Sequence, residues 1–414
     1  MMYKRIVVID PVFGFITIPQ GLLSRIVQHP LLQRLTRIKQ LGLSFVAYPS
    51  AQHTRFQHSL GAFHLMSEAI SQLKAKGVFL FDTEAEAVQA AILLHDIGHG
   101  PFSHALEHTL ATGISHEDIS LALMEQMNKE FKGQLTLAIQ IFKNQYPKPF
   151  LNQLVNGQLD MDRLDYLRRD SFYTGVTEGN IGSARIIKML NIKDDHLVVD
   201  SKGIYSIENF LMARRLMYWQ VYFHKTSVAY ERMLINTLLR AKKLASQGVE
   251  LFASPALRYF LYNNIHKDVF FESSIALDNF IQLDDNDIWT SLKVWCNHPD
   301  KVLSLLSQGI IHRRLFKVKI QTTPISSNQK EDIIDIISKK LNLTPDDAQY
   351  LIACEGIEKD MYNPADDSID ILYENGEIKN IAEASDMLNV ALLSKRAKKY
   401  YLCHYRFNEQ NVNY

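Results

Sequence analysis

Ten consecutive residues constrain this chain more than any others: His95-Asp96-Ile97-Gly98-His99-Gly100-Pro101-Phe102-Ser103-His104. They bring four imidazole or carboxylate groups close together. Upstream, Thr54-Arg55-Phe56-Gln57-His58-Ser59-Leu60-Gly61 adds an Arg and a His about one helical turn apart. The stretch from Ala85 to about His95 is rich in Ala, Ile and Leu, as a buried helix is, so it delivers His95 and Asp96 to the interior. Buried His and Asp at this density are costly unless they bind something. A transition metal and a phosphate group suit them best.

A hydrolytic metal needs several fixed protein ligands and open positions for water and substrate. Imidazole with carboxylate favours Fe, Mn, Zn, Ni or Co over calcium. Adjacent His95 and Asp96 cannot share one face of a regular helix. Where the helix frays at Gly98, Gly100 and Pro101, both can reach one ion. His58 would arrive from a neighbouring helix. A further ligand must come from elsewhere, and the run from Asp160 to Asp170 (DMDRLDYLRRD) offers candidates, although it also reads as an ion-paired surface helix. The pattern is that of a metal-dependent phosphohydrolase.

Composition narrows the alternatives. Lys+Arg and Asp+Glu balance at 45 each, so bulk charge gives no strong nucleic-acid or membrane signal. A small anion would have to be met by a local basic cluster. Cys296, Cys354 and Cys403 are far apart, which speaks against a disulfide framework or thiolate zinc site and suits a reducing cytoplasm. The N-terminus is too short and too polar for a signal peptide, and no apolar run reaches the roughly 18 residues of a membrane span.

The periodicity predicts a mainly α fold. A short β-hairpin is expected over 5–9 and 15–18, around Asp10-Pro11-Val12-Phe13-Gly14. Leu22, Leu23, Ile26 and Val27 form one helical stripe; Leu31, Leu32, Leu35, Ile38 and Leu41 form the next, with Gly42 as its stop. Further helices are predicted from about Arg55 to Lys76, from a Thr83 cap, and over 116–130, 134–144, 147–156, 159–170, 182–190 and 206–244. Helical signals continue to about residue 312. Strand-like alternation then appears over 315–320, 368–373 and 400–405, with a helix over 328–341. The expected division is a helical catalytic domain over 1–312 and a small α/β lobe over 313–414.

At this point the residues resemble a family. The two runs above, Gln33-Arg34-Leu35, Ile38-Lys39-Gln40-Leu41-Gly42, Asp160 to Asp170 and Tyr222-Phe223-His224-Lys225 occur in the order found in the HD-domain phosphohydrolases. Within them the chain is most similar to the deoxynucleoside triphosphate triphosphohydrolases, the branch that includes the vertebrate SAM-and-HD-domain enzyme. The likeness covers about the first 230 residues. It implies a helical HD core and one divalent transition metal held by His58, His95, Asp96 and Asp162, with Mg accompanying the triphosphate. It also implies phosphate contacts from Arg55 and Arg163, assisted by His99, His104, Tyr166 and Arg214. Arg163 stands where many relatives have Lys, which keeps the charge and changes the geometry.

Gln40, Leu41, Asp170 and Tyr222 match positions that read the sugar in that family: Gln and Asp hold the 3′ hydroxyl, while Leu and Tyr crowd the 2′ carbon. His116 is suited to donate a proton near neutral pH, and relatives use a His here to protonate the leaving 5′ oxygen. Glu107, three residues after His104, is placed like the carboxylate that orients it. The implied reaction is a deoxynucleoside triphosphate plus water giving a deoxynucleoside and inorganic triphosphate, with Asp162 serving the catalytic metal.

Two departures bear on regulation. Activated relatives are tetramers that read a guanine nucleotide between subunits with an acid and an Arg. The matching positions here are Gln28 and Thr36, with Arg37 shifted by one residue, about 100° around a helix. Activation of that type is therefore in doubt, and no SAM domain is expected. A homodimer or homotetramer is expected, with a nucleotide activator left open. The competing readings are another HD-type phosphohydrolase (nucleotidase, phosphodiesterase or single-strand nuclease), which would not need the sugar-reading set, and a nucleotide-binding sensor with little turnover.

Overall fold

Two helices, Arg55–Ala75 and Met161–Thr174, pack directly on each other, and a glycine lets them do so. A Cβ on Gly61 would stand 1.9 Å from Asp165 Oδ1 and 2.1 Å from Arg169 Nη2, so only glycine fits that crossing. Each helix starts on a side-chain cap. Thr54 accepts from the Gln57 amide while Gln57 Oε1 accepts from the Thr54 amide at 2.8 Å, and Asp160 Oδ1 accepts from the Arg163 amide at 2.6 Å. The second ends at Gly175, which is left-handed at φ 75°. This computed structural model describes residues 5–102, 109, 111–272, 274–359, 368–386 and 397–407.

The fold is mainly helical, as expected. The N-terminal hairpin pairs Ile6–Asp10 with Gly14–Ile18, and Asp10 Oδ1 closes its turn by accepting from the Val12 and Phe13 amides. The helices His116–Glu130, Thr136–Phe142, Pro149–Asn156 and Ser183–Met189 fall where periodicity predicts them. One apolar core runs from Ile16 and Ile18 of the hairpin through Phe63, Leu93 and Phe210 to Ile371 and Tyr401.

Three expectations about helices are corrected. The stripe ending at Leu41 is not one helix: Pro30–Gln33 is α-helical, Arg34–Arg37 is a tighter 3-10 turn and Ile38 is extended. Tertiary bonds override the periodicity there. Buried Arg34 donates to the carbonyls of Leu283 and His99, both at 2.9 Å, and Lys39 forms an antiparallel bridge with Thr54. Gly42 still makes the turn, at φ 49°. The helix expected from a Thr83 cap begins at Asp82. Buried Glu84 accepts from the Phe81 amide at 2.9 Å and pairs with Lys148 at 2.8 Å. The long helix predicted over 206–244 is two, Ile204–Met217 and Lys225–Ser246. A π-helical turn at Tyr218–Tyr222 joins them, and His224 caps the second.

The C-terminal strands are Lys317–Gln321, Asp370–Leu372 and Ala397–His404, with a helix at Ser327–Leu341. Several strands escaped periodicity, among them two regions that shape the sheets. Leu190–Lys193 and His196–Asp200 form a hairpin turned by left-handed Asp194 and Asp195. Ile352–Lys359 pairs along Ala397–His404, which is central in its three-stranded sheet. Asp370–Leu372 pairs in parallel with Val198–Asp200, joining the C-terminal region to a sheet begun near residue 190.

Candidate metal centre and the cavity in front of it

His58 lies one turn into its helix and is fully buried. His95 stands at the end of the Asp82–Leu94 helix, where the chain turns through Gly98. That turn packs too closely on the His116–Glu130 helix to admit a side chain: a Cβ on Gly98 would lie 2.1 Å from the His116 carbonyl oxygen. Ser120 Oγ clamps it, accepting from the Gly98 amide at 2.9 Å and donating to the His95 carbonyl at 2.8 Å. His58, His95 and Asp162 thereby converge, with one ligand atom from each within 4.8 Å of the others. His58 Nε2 is 3.2 Å from His95 Nε2 and 3.1 Å from Asp162 Oδ1. Asp96 completes the cluster, with Oδ1 3.4 Å from His95 Nε2 and Oδ2 3.7 Å from His58 Nε2.

The outer partners settle which ring nitrogens face inward. His58 Nδ1 donates to Asp165 Oδ2 at 2.7 Å, and His95 Nδ1 donates to the Ile92 carbonyl at 2.7 Å. Both Nε2 atoms are left pointing at each other. Two such lone pairs 3.2 Å apart need a cation between them. Burial would drive the His58 proton off, yet its bonds to Asp162 and Asp165 outweigh burial and hold that proton up to a pKa of about 10. Asp162 and Asp96 are both held well below the ordinary carboxylate range against burial, Asp162 by His58 and His95, Asp96 first by His95 and then by Arg55. The group thus fits a divalent transition ion, which would stand where the proton does.

In front of the cluster lies a cavity of about 760 Å³, a size that holds a nucleotide. On its wall, Arg55 Nη1 donates to Asp96 Oδ2 at 2.6 Å. His99 stacks on His116 with ring centroids 3.9 Å apart. Burial first, and Arg55 beside it second, push the His99 imidazole down to about 3, so it is neutral at neutral pH. Arg163 also lines the cavity and pairs with buried Asp160, while its Nε has no hydrogen-bond partner among the described residues. Tyr166 lines the same wall, its phenol raised well above the ordinary value by burial. His116 is the first residue of its helix, with Nε2 3.2 Å from Glu117 Oε1. His104 and Glu107 lie outside the described residues.

A second wall carries Gln40, Leu41, Asp170 and Tyr222. Tyr222 Oη donates to Asp170 Oδ2 at 2.8 Å, and Gln40 Oε1 is buried with no partner among the described residues. Arg214 is buried, donating to Gln158 Oε1 at 2.9 Å, near enough to Asp160 and Tyr166 for its charge to act on both. Two contributors were missed in the sequence. His53 is fully enclosed, with Nε2 2.7 Å from Asp170 Oδ1; its one signal was its place two residues before Arg55. Glu355, Gly356, Ile357 and Glu358 of the C-terminal sheet also line the cavity. Nothing local marked them, because a third strand had first to pair there.

Residues 55–170, which hold His58, His95, Asp96 and Asp162, match the HD domain, and residues 181–252 match the HD-associated region. A crystal structure of a phosphohydrolase from Bacteroides thetaiotaomicron is 72% identical, with a TM-score of 0.95 over 97% of this chain and 100% of that one. The uncharacterized Bacillus subtilis protein YwfO is 29% identical over 95% of this chain and 91% of its own. The deoxynucleoside triphosphate triphosphohydrolase SAMHD1 of Danio rerio is 26% identical over 80% of this chain and 57% of its own. No helix among the described residues is long and apolar enough to cross a membrane. Together with a His58, His95 and Asp162 group that could hold a metal ion, these likenesses make the chain a member of the HD-domain phosphohydrolase family.

Proposed function

We propose that this protein hydrolyses deoxynucleoside triphosphates to a deoxynucleoside and inorganic triphosphate. One observation carries the reading: a single cavity presents the metal group, a basic and imidazole wall, and a separate polar corner of Gln40 and Asp170 with Leu41 and Tyr222 beside it. A simple phosphomonoesterase or phosphodiesterase needs the first two and has no use for the third.

A divalent ion held by His58, His95, Asp96 and Asp162 would lower the pKa of a water and polarise a phosphoryl oxygen. The chain's own groups do the rest. Arg55 and Arg163 meet the phosphates, and neutral His99 adds a donor without further charge. Asp170 accepts the proton of the sugar hydroxyl and the Gln40 amide group donates to its oxygen, while Leu41 and Tyr222 fill the space a ribose 2′ hydroxyl would need. His116, at the cavity edge and stacked on His99, gives its proton to the departing 5′ oxygen. Arg214 assists with its charge, which bears on Asp160 and Tyr166.

The test is product analysis by anion-exchange chromatography. The full chain with Mn²⁺ or Fe²⁺ is incubated with each dNTP and NTP, with and without added GTP or dGTP. Intact triphosphate plus deoxynucleoside, from dNTPs alone, is the expected result. Orthophosphate or a monophosphate as product would overturn the reading, and so would an absence of turnover.

A further inference from the structure

We infer that His53 is the positioning residue of the sugar corner, holding both of its polar groups at once. The inference rests on the proposed reading of Asp170 and Gln40. The side chain of His53 reaches Asp170, with Nε2 2.7 Å from Oδ1. Its backbone reaches Gln40, whose amide donates to the His53 carbonyl at 3.0 Å. Asp170 comes from the Met161–Thr174 helix and Gln40 from the loop before Gly42. Within the described residues, His53 bonds to both.

The environment of the ring supports a dedicated role. It is fully buried and stacks on Tyr173, with centroids 4.4 Å apart and planes 17° off parallel. Gln57 Nε2 donates to the Tyr173 hydroxyl at 3.3 Å, which holds the stacking partner. Nδ1 of His53 has no hydrogen-bond partner among the described residues. A buried imidazole with one nitrogen unmatched is costly. An apolar side chain would fill the space without that loss, so the imidazole's benefit lies at Nε2, on Asp170.

The consequence is an assigned carboxylate. Asp170 Oδ1 is taken by His53, and Oδ2 is met by the Tyr222 hydroxyl at the cavity wall. Fixing Oδ1 stops the carboxylate from rotating, so Oδ2 stays turned to Tyr222 in the cavity lining that also includes Gln40. A carboxylate oxygen held in place suits the single proton of a sugar hydroxyl, whose own oxygen can accept from the Gln40 amide group. A 3′-deoxy sugar would leave the carboxylate without that donor.

The experiment compares a dNTP with its 2′,3′-dideoxy counterpart on the wild-type full chain, His53→Leu and His53→Gln. Gln can place a donor where Nε2 stands, and Leu cannot. The wild type is expected to prefer the dNTP in kcat/KM by about tenfold, the worth of one buried hydrogen bond to a charged group. His53→Leu should bring that ratio close to one, through a raised KM for the dNTP and unchanged dideoxy kinetics. His53→Gln should restore most of the ratio and keeps the test decisive should the Leu variant not fold. An equal loss on both substrates in either variant would overturn the positioning role. Wild-type turnover without any 3′ preference would overturn it while leaving the proposed reaction standing. No wild-type turnover of dNTPs would remove both.

Discussion

Behind His58 and in front of it lie two sets of buried charges that are built differently. Behind, Arg169 is fully enclosed and donates to Asp10 Oδ2 at 2.7 Å and to both Asp165 oxygens at 2.9 Å, and Asp165 in turn accepts from His58. Asp10 also closes the hairpin turn. In front, buried atoms of His99, Arg163 and Gln40 have no partners among the described residues. A buried polar atom left unmatched costs about 1–3 kcal/mol. The rear network satisfies its groups and aims His58. The front carries its unmatched atoms on side chains that line the cavity, where a bound ligand and its ordering could supply partners. The difference separates what holds the site from what the site is for.

Three measurements would break or sharpen that division. Asp162→Ala should have the largest effect, because it removes one of the three groups that could hold a metal and leaves the rear intact. Bound metal by atomic absorption and hydrolytic activity should fall together to background, with the far-UV circular dichroism unchanged. Activity that survives without metal would sink the assignment.

Arg169→Met tests the rear. Removing one partner of a buried charge network leaves Asp10 and Asp165 uncompensated, at about 3–5 kcal/mol. Urea unfolding should show a loss of that order, with metal affinity weakened only through a less firmly aimed His58. Unchanged stability would mean the rear network is not the anchor described here.

The smallest effect concerns pH. The folded metal-free protein holds a proton on His58 up to about 10, whereas the unfolded chain releases it near the ordinary 6.5. The stability this gives is fully present below 6.5 and is lost as pH rises through 10. Metal must displace the same proton. Its apparent dissociation constant should therefore fall about tenfold per unit between pH 7 and 9, as measured by isothermal titration calorimetry. A flat profile would place the proton elsewhere.

Much of the site was legible before folding, for identifiable reasons. His95 and Asp96 ahead of Gly98 marked a helix end, and a helix end lets neighbouring residues face one point. Arg55 and His58 stand about one helical turn apart, which puts them on one face of the predicted helix. Asp162 could be chosen from the run at 160–170 only through the family resemblance. In the structure Asp160 caps the helix, Asp165 supports His58, Asp170 accepts from Tyr222 at the cavity wall and Asp162 meets the imidazoles. Four like residues in one stretch have four roles, and a helical period alone does not distribute them. The break of the predicted helix before Leu41 was equally hidden. It depends on Arg34 reaching the Leu283 carbonyl, 249 residues along the chain.

By itself the sequence determined the helical class, the hairpin, the ends of the site-bearing helices and the residue types gathered at the cation site. These are local matters of period, caps and breakers, written within a few turns of chain. Only the tertiary structure decided that His53 would hold Asp170, that Arg214 would bond Gln158, and that a strand near residue 355 would help line the cavity. Each depends on a contact between distant segments. Burial and hydrogen-bond satisfaction select such contacts only once the whole chain has packed.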